Sequence, residues 1–421
     1  MSHDAASTPD SPGPRRTRRG AATPPRRGSR RTAQALVAAV LLLAVAAVVT
    51  MVATWPGSVH EVADKAGLVD TGVQYVSATV TGRTTSTCDA TVEDTRADGS
   101  QPTSVSCLKV AAHVTSGPRA GADISVIATA SVTADEVPVG TRIIVEYYPA
   151  ADGQAETWAW SDFRRSVPLG ALSLAFVLVA GLVGGWRGLR SVLGLAIALA
   201  VLWVYLLPAL ITGRPAVVTS LAASVAIMVV VAYLTHGPTL RTTTALIGTV
   251  AGLVMIAGIG VLAAHAAHLS PVAGEEDFRL AGMLGDDGVA RLRGVFLASI
   301  VLAGLGVLND VTITQASAVG ELAEVAPRAG FTALFTGGMR IGRDHLASTV
   351  YTIAFAYAGA ALPVLLMVQL YELPLAQTLT QGVFAQEIVR TLAGAIGLLL
   401  AIPATTAIAA AVEVRTRPHP V

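Results

Sequence analysis

The chain has 421 residues, of which 53% are hydrophobic and only 14% are charged, and its formal net charge is +1. A soluble globular domain carries about 25% charged residues, so this composition excludes an ordinary soluble protein. Together with a mean hydropathy of +0.61 it indicates a membrane protein.

Residues 1–32 are rich in arginine, set among proline, serine, threonine and glycine. Such a segment cannot bury a core, so we predict a disordered cytoplasmic tail. Its simplest role is to orient the first membrane span. Specific binding of a polyanion is the alternative, and a position beside the membrane favours anionic lipid over nucleic acid. We therefore expect the lipid bilayer, and not nucleic acid, as a partner.

Residues 33–55 are apolar and long enough for one span, which needs about 20 residues. A cleaved signal peptide would have a shorter charged region and a shorter apolar region. Because arginines directly precede the segment, we predict an uncleaved signal anchor with the N-terminus inside the cell.

Residues 56–165 are predicted to form a small extracytoplasmic β domain between the first and second spans. Runs with strand composition are separated by turn residues, and they cover 75–85, 105–114, 124–132 and 142–148. Cys88 and Cys107 both fall in this segment. If it lies outside the cytoplasm they can pair, which stabilises the fold by about 3 kcal/mol on the chain-entropy model.

The rest of the chain, residues 166–413, is almost entirely apolar, and it precedes a short cytoplasmic tail at 414–421. Its spans are predicted at 167–185, 190–211, 216–235, 243–266, 293–317, 346–369 and 387–412. With the anchor this gives a mainly α membrane protein of about eight transmembrane helices, with both termini cytoplasmic. Most loop arginines then lie inside and the acidic loop at 268–292 lies outside, as the positive-inside rule expects.

One span carries polar residues, in the sequence from Asn309 to Glu324. Charges flank this span at Arg293 and Glu321, roughly 42 Å apart on a helix. Asp310 then lies only about 5 Å from the bilayer centre, where burying an aspartate costs about 2.5–3.5 kcal/mol. Its side chain must therefore face protein or water.

Helical spacing places several of these polar side chains on one face. The face contains Asp310, Thr314, Ser317 and Glu321, and it is widened by Asn309, Thr312 and Gln315. Such a face suits a hydrated half-channel that opens to the cytoplasm, with Asp310 binding a cation or proton. The alternative is that these groups simply form hydrogen bonds within the helix bundle.

Residues 320–346 are predicted to form a cytoplasmic loop in which a glycine-rich stretch leads into the next helix. Arg343 either contacts Asp310 or an anionic substrate at the inner mouth, or serves as a positively charged anchor. The candidate site residues are thus Asp310, Asn309, Thr314, Ser317, Glu321 and Arg343. His265 and His268 have a spacing that suits metal binding, but interfacial histidines without metal are the simpler interpretation, so no metal site is predicted.

Several motifs in this order resemble the YibE/F-like family of bacterial multi-pass membrane proteins. They span about residues 138–413, and the motif residues are 139–142, Arg164 or Arg165, 207–213, 236–237 with Arg241, 245–249, 304–310, Ser317, Glu321 and 338–344. The resemblance implies a plasma-membrane protein with an extracytoplasmic β domain, and transport is the activity most often suggested for the family. Many relatives have an apolar residue where this chain has Asn309, so the resemblance alone does not assign Asn309 to a site shared with the family.

We therefore expect a transporter or permease for a small solute or ion, coupled to protons or cations through Asp310. The rival hypothesis is a membrane scaffold or sensory protein that acts through the β domain. A homo-oligomer or a partner membrane protein is compatible with either. No enzyme and no cofactor is expected, because the spans contain one clear aspartate and no GxSxG, HExxH or Walker A sequence.

Overall fold

The computed structural model describes residues 27–67, 72–90, 94–96, 99–150, 155–370 and 374–417. Most of the predicted N-terminal tail lies outside these residues. Helix α1 (Arg27–Ala53) starts the described chain and is apolar enough to span a membrane. A short helix, α2 (Val59–Lys65), follows it and leads to the β domain.

The β domain is a five-stranded antiparallel sheet whose strands lie in the order β3-β2-β1-β4-β5. Its strands are β1 (Gln74–Asp89), β2 (Ser104–Val114), β3 (Asp123–Ile127), β4 (Arg142–Tyr148) and β5 (Thr157–Phe163). Strand β5 was not predicted from the sequence. Because β3 also contacts β5, the sheet curls into a barrel. This order is that of the OB-fold, a five-stranded Greek-key barrel.

Alternating side chains build the barrel interior. In β2 the buried residues Val110, Ala112 and Val114 alternate with more exposed ones, as expected when every second side chain points inward. Strand β1 pairs with both β2 and β4. Its pairing with β2 shifts register between Val80 and Gly82. The disulfide between Cys88 and Cys107, which the sequence left open, joins β1 to β2.

The remainder of the chain is helical. Its helices are α3 (Ser166–Val201), α4 (Leu207–Ile211), α5 (Ala216–His236), α6 (Leu240–Ala266), α7 (Glu275–Met283), α8 (Gly288–Val325), α9 (Phe331–Ala360), α10 (Leu362–Leu370), α11 (Leu375–Thr378) and α12 (Gly382–Thr416). A π-helical segment, Leu202–Leu206, joins α3 to α4.

By length and composition, six helices in the described chain can span a membrane, or seven if the bent pair α9 and α10 counts as one. The predicted number of eight is therefore not confirmed. The difference concerns residues 166–211, which count as one helix although the backbone is broken at Gly185. A Cβ atom on Gly188 would overlap the carbonyl oxygen of Ala180, so the chain folds back on itself there. Eight residues of straight helix would separate these groups by about 12 Å.

Helices α6, α8 and α12 pack together at the centre of the bundle. Their largest buried side chains include Leu253, Ile256, Leu308, Leu398 and Ile402. Glycines bring the backbones close, since a Cβ atom on Gly304 would lie 2.5 Å from a methyl group of Ile256. Such packing through small residues is how membrane helices associate without a hydrophobic driving force between them.

Helix α9 replaces much of the predicted cytoplasmic loop at 320–346. It begins at Phe331, and the glycine-rich stretch lies within it. Gly338 and Gly342 both face the bundle, and a Cβ atom on either would lie 2.7 Å from a side chain of α8 or α12. These glycines therefore serve close helix packing rather than loop flexibility.

The two ends of the bundle can be identified by their contacts. At the end next to the β domain, the Thr54 hydroxyl is hydrogen-bonded to Tyr205 Oη at 2.6 Å, and Arg291 Nη1 donates to the Ile211 carbonyl at 2.8 Å. At the opposite end, Arg417 Nη1 donates to the Ala326 carbonyl. We call these the β-domain end and the opposite end. The first residues of α1 and the last residues of α12 both lie at the opposite end.

Candidate functional site

Asp310 lies in the middle of α8, where its side chain is not packed into the core. The side chain is 76% exposed, and its Oδ2 is 3.9 Å from Nε2 of His345 on α9. This distance allows an ion pair when the imidazole is protonated, but it is too long for a hydrogen bond. A carboxylate and an imidazole thus lie side by side on the surface where α8 and α9 meet.

Two polar atoms next to Asp310 in sequence or space are buried without a hydrogen-bond partner in the described chain. They are Oδ1 of Asn309 and Nε2 of His345. Most buried polar groups in proteins are hydrogen-bonded, to protein or to water, so unpaired ones need an explanation. Their position beside a charged carboxylate is typical of a site that takes up water, a proton or a small solute.

The predicted polar face separates into two parts. Thr312 and Gln315 are buried in the bundle, at 0% and 3% exposure. The Thr312 hydroxyl is hydrogen-bonded to Thr249 of α6 at 2.6 Å. The Gln315 side chain donates to the Gly338 carbonyl and to the hydroxyl of Thr406, which lie on α9 and α12. These two residues therefore hold helices together and do not line an open face.

The remaining predicted residues stay on the outer part of α8. Thr314 is exposed, and its hydroxyl donates to the backbone carbonyl of Asp310 at 2.7 Å. Ser317 is half-buried, and Glu321 is exposed at the opposite end of the bundle. With Asp310, these residues form a continuous strip along α8, which we call the polar strip.

Glu321 is already paired, with a residue that the sequence analysis did not assign to it. Arg241, at the start of α6, donates to Glu321 Oε1 at 3.0 Å and also bonds Glu324. The arginine lies directly over Gly320, where a Cβ atom would meet its guanidinium group. Because Gly320 has no side chain, the guanidinium group of Arg241 can reach both carboxylates.

Arg343 does not take the position proposed for it beside Asp310. It is exposed on α9, and the ion pair of Asp310 in the described chain is with His345 instead. His345 comes two residues after Arg343, so it points in a different direction from the same helix. The sequence analysis placed His345 in the predicted loop at 320–346, so it did not identify this residue as a partner of Asp310.

A second ionic cluster lies in the β-domain half of the bundle and was missed in the sequence analysis. Arg390 of α12 bonds Glu387 one turn earlier, and its Nε donates to the Ser299 hydroxyl of α8 at 3.1 Å. Its guanidinium group also lies over the ring of Phe296, 5.6 Å from the centroid. The side chain of Arg390 is only 20% exposed. A largely buried arginine in a membrane-length helix is rare and is often functional.

His265 and His268 line a cavity of about 350 Å³ near the β-domain end, together with Arg293 and Phe296. His268 has a left-handed backbone conformation with φ of 46°. Within the part of the chain that the structure describes, no group of three or more potential metal ligands is present. The two histidines therefore lack the further protein ligands of an ordinary zinc site.

The sequence matches the family model described as "YibE/F-like protein" over residues 172–415, which is 244 of the 421 residues. The match covers the helical bundle with both ionic clusters, and it begins after the β domain. The comparison with curated proteins and the comparison with solved structures found no match. The motifs of the bundle and the extent of this match agree, and the chain belongs to the YibE/F-like family.

Proposed function

We propose that this protein is a transporter or permease that moves a small solute or ion along the polar strip of α8, coupled to a proton or cation at Asp310. The observation that carries the proposal is the state of the Asp310 carboxylate. It is mostly exposed in the middle of a membrane-length helix, beside the unpaired Nε2 of His345. Lipid cannot solvate a carboxylate at that depth, so water, a solute or protein must cover it.

The pair of Asp310 and His345 has the chemistry for binding a cation or a proton. A carboxylate binds a cation or a proton, and a neighbouring imidazole can donate or accept a proton. Proton relays in membrane pumps are commonly built from such groups. The strip runs from this pair to Glu321 and Arg241 at the opposite end, which supports a path that opens on that side.

The proposal includes an orientation in the bacterial plasma membrane. We place the β-domain end outside the cell and both termini in the cytoplasm, with residues 166–211 crossing twice, which makes eight spans. The arginine-rich N-terminal tail and the disulfide of the β domain support this orientation, because disulfides persist outside the cytoplasm. No chemical reaction is assigned to the protein.

The test is a flux screen with the purified protein in liposomes, comparing wild type with Asp310→Asn and Asp310→Glu. We expect Asp310→Asn to abolish flux of the transported solute, because the neutral amide can neither balance the charge of a cation nor take up a proton. Asp310→Glu should retain part of the flux. Asp344→Asn is the matched control, since Asp344 is an exposed aspartate one residue before His345. If Asp310→Asn leaves protein accumulation, stability and every measured flux unchanged, the proposal that transport is coupled through Asp310 is wrong.

A second function is favoured by the β domain. A cleft of about 340 Å³ lies beside the disulfide, between the β1–β2 connection and the end of β3. Domains with this barrel topology bind ligands on the same side, across β2, β3 and the β1–β2 loop. A scaffold or sensory protein would act through this cleft. Deletion of residues 60–160 would then remove function, whereas changes such as Asp310→Asn would matter little.

A further inference from the structure

We infer that the polar strip continues past Asp310 toward the β-domain end, and that Arg390 closes it there. This inference rests on the proposed function, because it concerns the same path. It identifies the residue that shuts the path on the side where the β domain lies.

The first step is the geometry of α8. Ser299 and Asp310 are 11 residues apart, which is about three helical turns, so they share one face. Gly306 lies on that face between them, and a Cβ atom added to it would meet nothing within 4 Å. From Ser299 to Glu321 the face extends about 33 Å, which is the thickness of a hydrocarbon core. The polar and open positions of α8 therefore form one line across the membrane.

The second step is the contact at Ser299. Arg390 Nε donates to the Ser299 hydroxyl at 3.1 Å, so the guanidinium group sits directly on the line at its β-domain end. Glu387 and the ring of Phe296 hold the group from two other sides. These contacts hold the arginine in place. In the described part of the chain, no comparable group covers the line at Gly306 and Asp310.

The third step is electrostatic. A guanidinium group on the line repels protons and metal cations, and membrane pores use arginines in this way. Glu387 bonds Arg390 in the closed arrangement and is the group that can retain it when the contact with Ser299 breaks. The path is thus closed at the Arg390 end and open at the Asp310 end. Solute passes only after Arg390 leaves Ser299.

Cysteine labelling can test this directly, because the chain has only two cysteines and they are joined in a disulfide. Gly306→Cys puts a thiol on the line without a steric clash. The probe is a permanently cationic, membrane-impermeant methanethiosulfonate, applied to right-side-out or inside-out vesicles. Val254→Cys on the exposed surface of α6 is the lipid-facing control and should react from neither side.

With Arg390 present, we expect Gly306→Cys to react from the cytoplasmic side and to be protected from the outside. Adding Arg390→Ala should abolish the protection from the outside, and Ser299→Ala should weaken it. Arg390→Lys should retain it in part. The intact disulfide and an unchanged melting temperature show that each variant is folded, and Ser299→Ala tests the same contact with a smaller change.

Two results would overturn the inference while leaving the proposed function intact. One is reaction of Gly306→Cys from the outside when Arg390 is present. The other is reaction from the cytoplasmic side only, with no change from the outside in either Arg390→Ala or Ser299→Ala. Absence of reaction from both sides in all variants would mean that the strip is dry, and it would remove the proposed function as well.

Discussion

The polar residues of α8 form hydrogen bonds with different partners. The hydroxyl of Thr314 bonds the carbonyl of its own helix, and Thr312 and Gln315 bond neighbouring helices. Asp310 is the member of the group whose charge is left beside a histidine with an unpaired nitrogen. Hydroxyl groups in membrane helices commonly bond their own backbone, so the charged residue is the better guide to function.

Asp162, a second carboxylate, lies in β5 and bonds Arg165, the residue just before α3. Arg165 Nη1 donates to its Oδ2 at 2.6 Å, and the backbone N–H of Phe163 donates to its Oδ1 at 2.7 Å. These hydrogen bonds, with the arginine contributing most, hold the pKa of Asp162 below its usual value of 3.8. The ionised form is therefore favoured in the folded state.

We predict that the wild-type protein loses stability relative to Asp162→Asn as the pH falls. A lowered pKa in the folded state stabilises the protein above pH 3.8, and this contribution disappears as the pH falls through the folded pKa. Melting temperatures of both proteins in detergent, measured from pH 6 to acid pH, would show the difference narrowing below about pH 4. A constant difference across the range would show that Asp162 does not carry this dependence.

At the scale of single residues, the sequence could predict the face of Asp310 but not its partner. The face follows from helical spacing alone. The partner depends on how α9 is rotated against α8, which periodicity does not specify. His345, rather than Arg343, lies beside Asp310 because Gly338 and Gly342 turn one side of α9 toward the bundle.

Among the elements, α9 packs against the bundle through glycine. A Cβ atom on Gly342 would lie 2.7 Å from Ile402 Cγ2 on α12 and 3.0 Å from the Gln315 side chain on α8. The same helix has Gly359, where a Cβ atom would meet nothing within 4 Å. The two glycines therefore provide a matched pair for testing helix packing.

We predict that Gly342→Ala destabilises the bundle by about 1–3 kcal/mol, as expected for overpacking at a close contact. Gly359→Ala should be neutral or stabilising by up to about 1 kcal/mol, because alanine favours a helix more than glycine does. Unfolding in detergent, followed by a change in helical circular dichroism, measures both. Equal effects of the two changes would show that the contact at Gly342 does not limit stability.

The sequence predicted most helices well and failed where charge misled it. Arg340, Arg343 and Asp344 suggested a cytoplasmic loop, but they lie on an exposed side of α9 while its glycines pack inward. The cluster at Glu387 and Arg390 was missed because it falls at the boundary of a predicted span. Charged residues near such a boundary look like loop residues when the neighbouring helices are unknown.

At the scale of the whole molecule, the division into a β domain and a helical bundle was readable from composition. Polar residues with strand patterns gave way to an apolar sequence after residue 165. The strand order and the closure of the barrel were not readable, because antiparallel pairing between distant strands leaves no periodic signal. The chain reversal at Gly185, which changes the number of spans, could not be predicted either. A single glycine in a sequence does not show whether the chain bends there or continues as a helix.

We predict that Cys88 and Cys107 are oxidised in cells, because the β domain lies outside the cytoplasm in the proposed orientation. Membranes treated with a thiol-blocking maleimide before denaturation should show no modified cysteine unless a reductant is added first. The variant Gly306→Cys serves as a positive control for blocking of a free thiol by this membrane-permeant reagent. Modification of both native cysteines without a reductant would reverse the proposed orientation.

The central position of α12 has a consequence for biosynthesis. This helix follows α6, α8 and α9 in the sequence, yet it packs against all three of them. Synthesis proceeds from the N-terminus, so the surfaces of those three helices that pack on α12 stay uncovered until α12 has been made. During that interval Gln315 lacks the Thr406 hydroxyl that it bonds in the finished protein. A chain that stops before α12 should therefore leave the polar interior of the bundle uncovered.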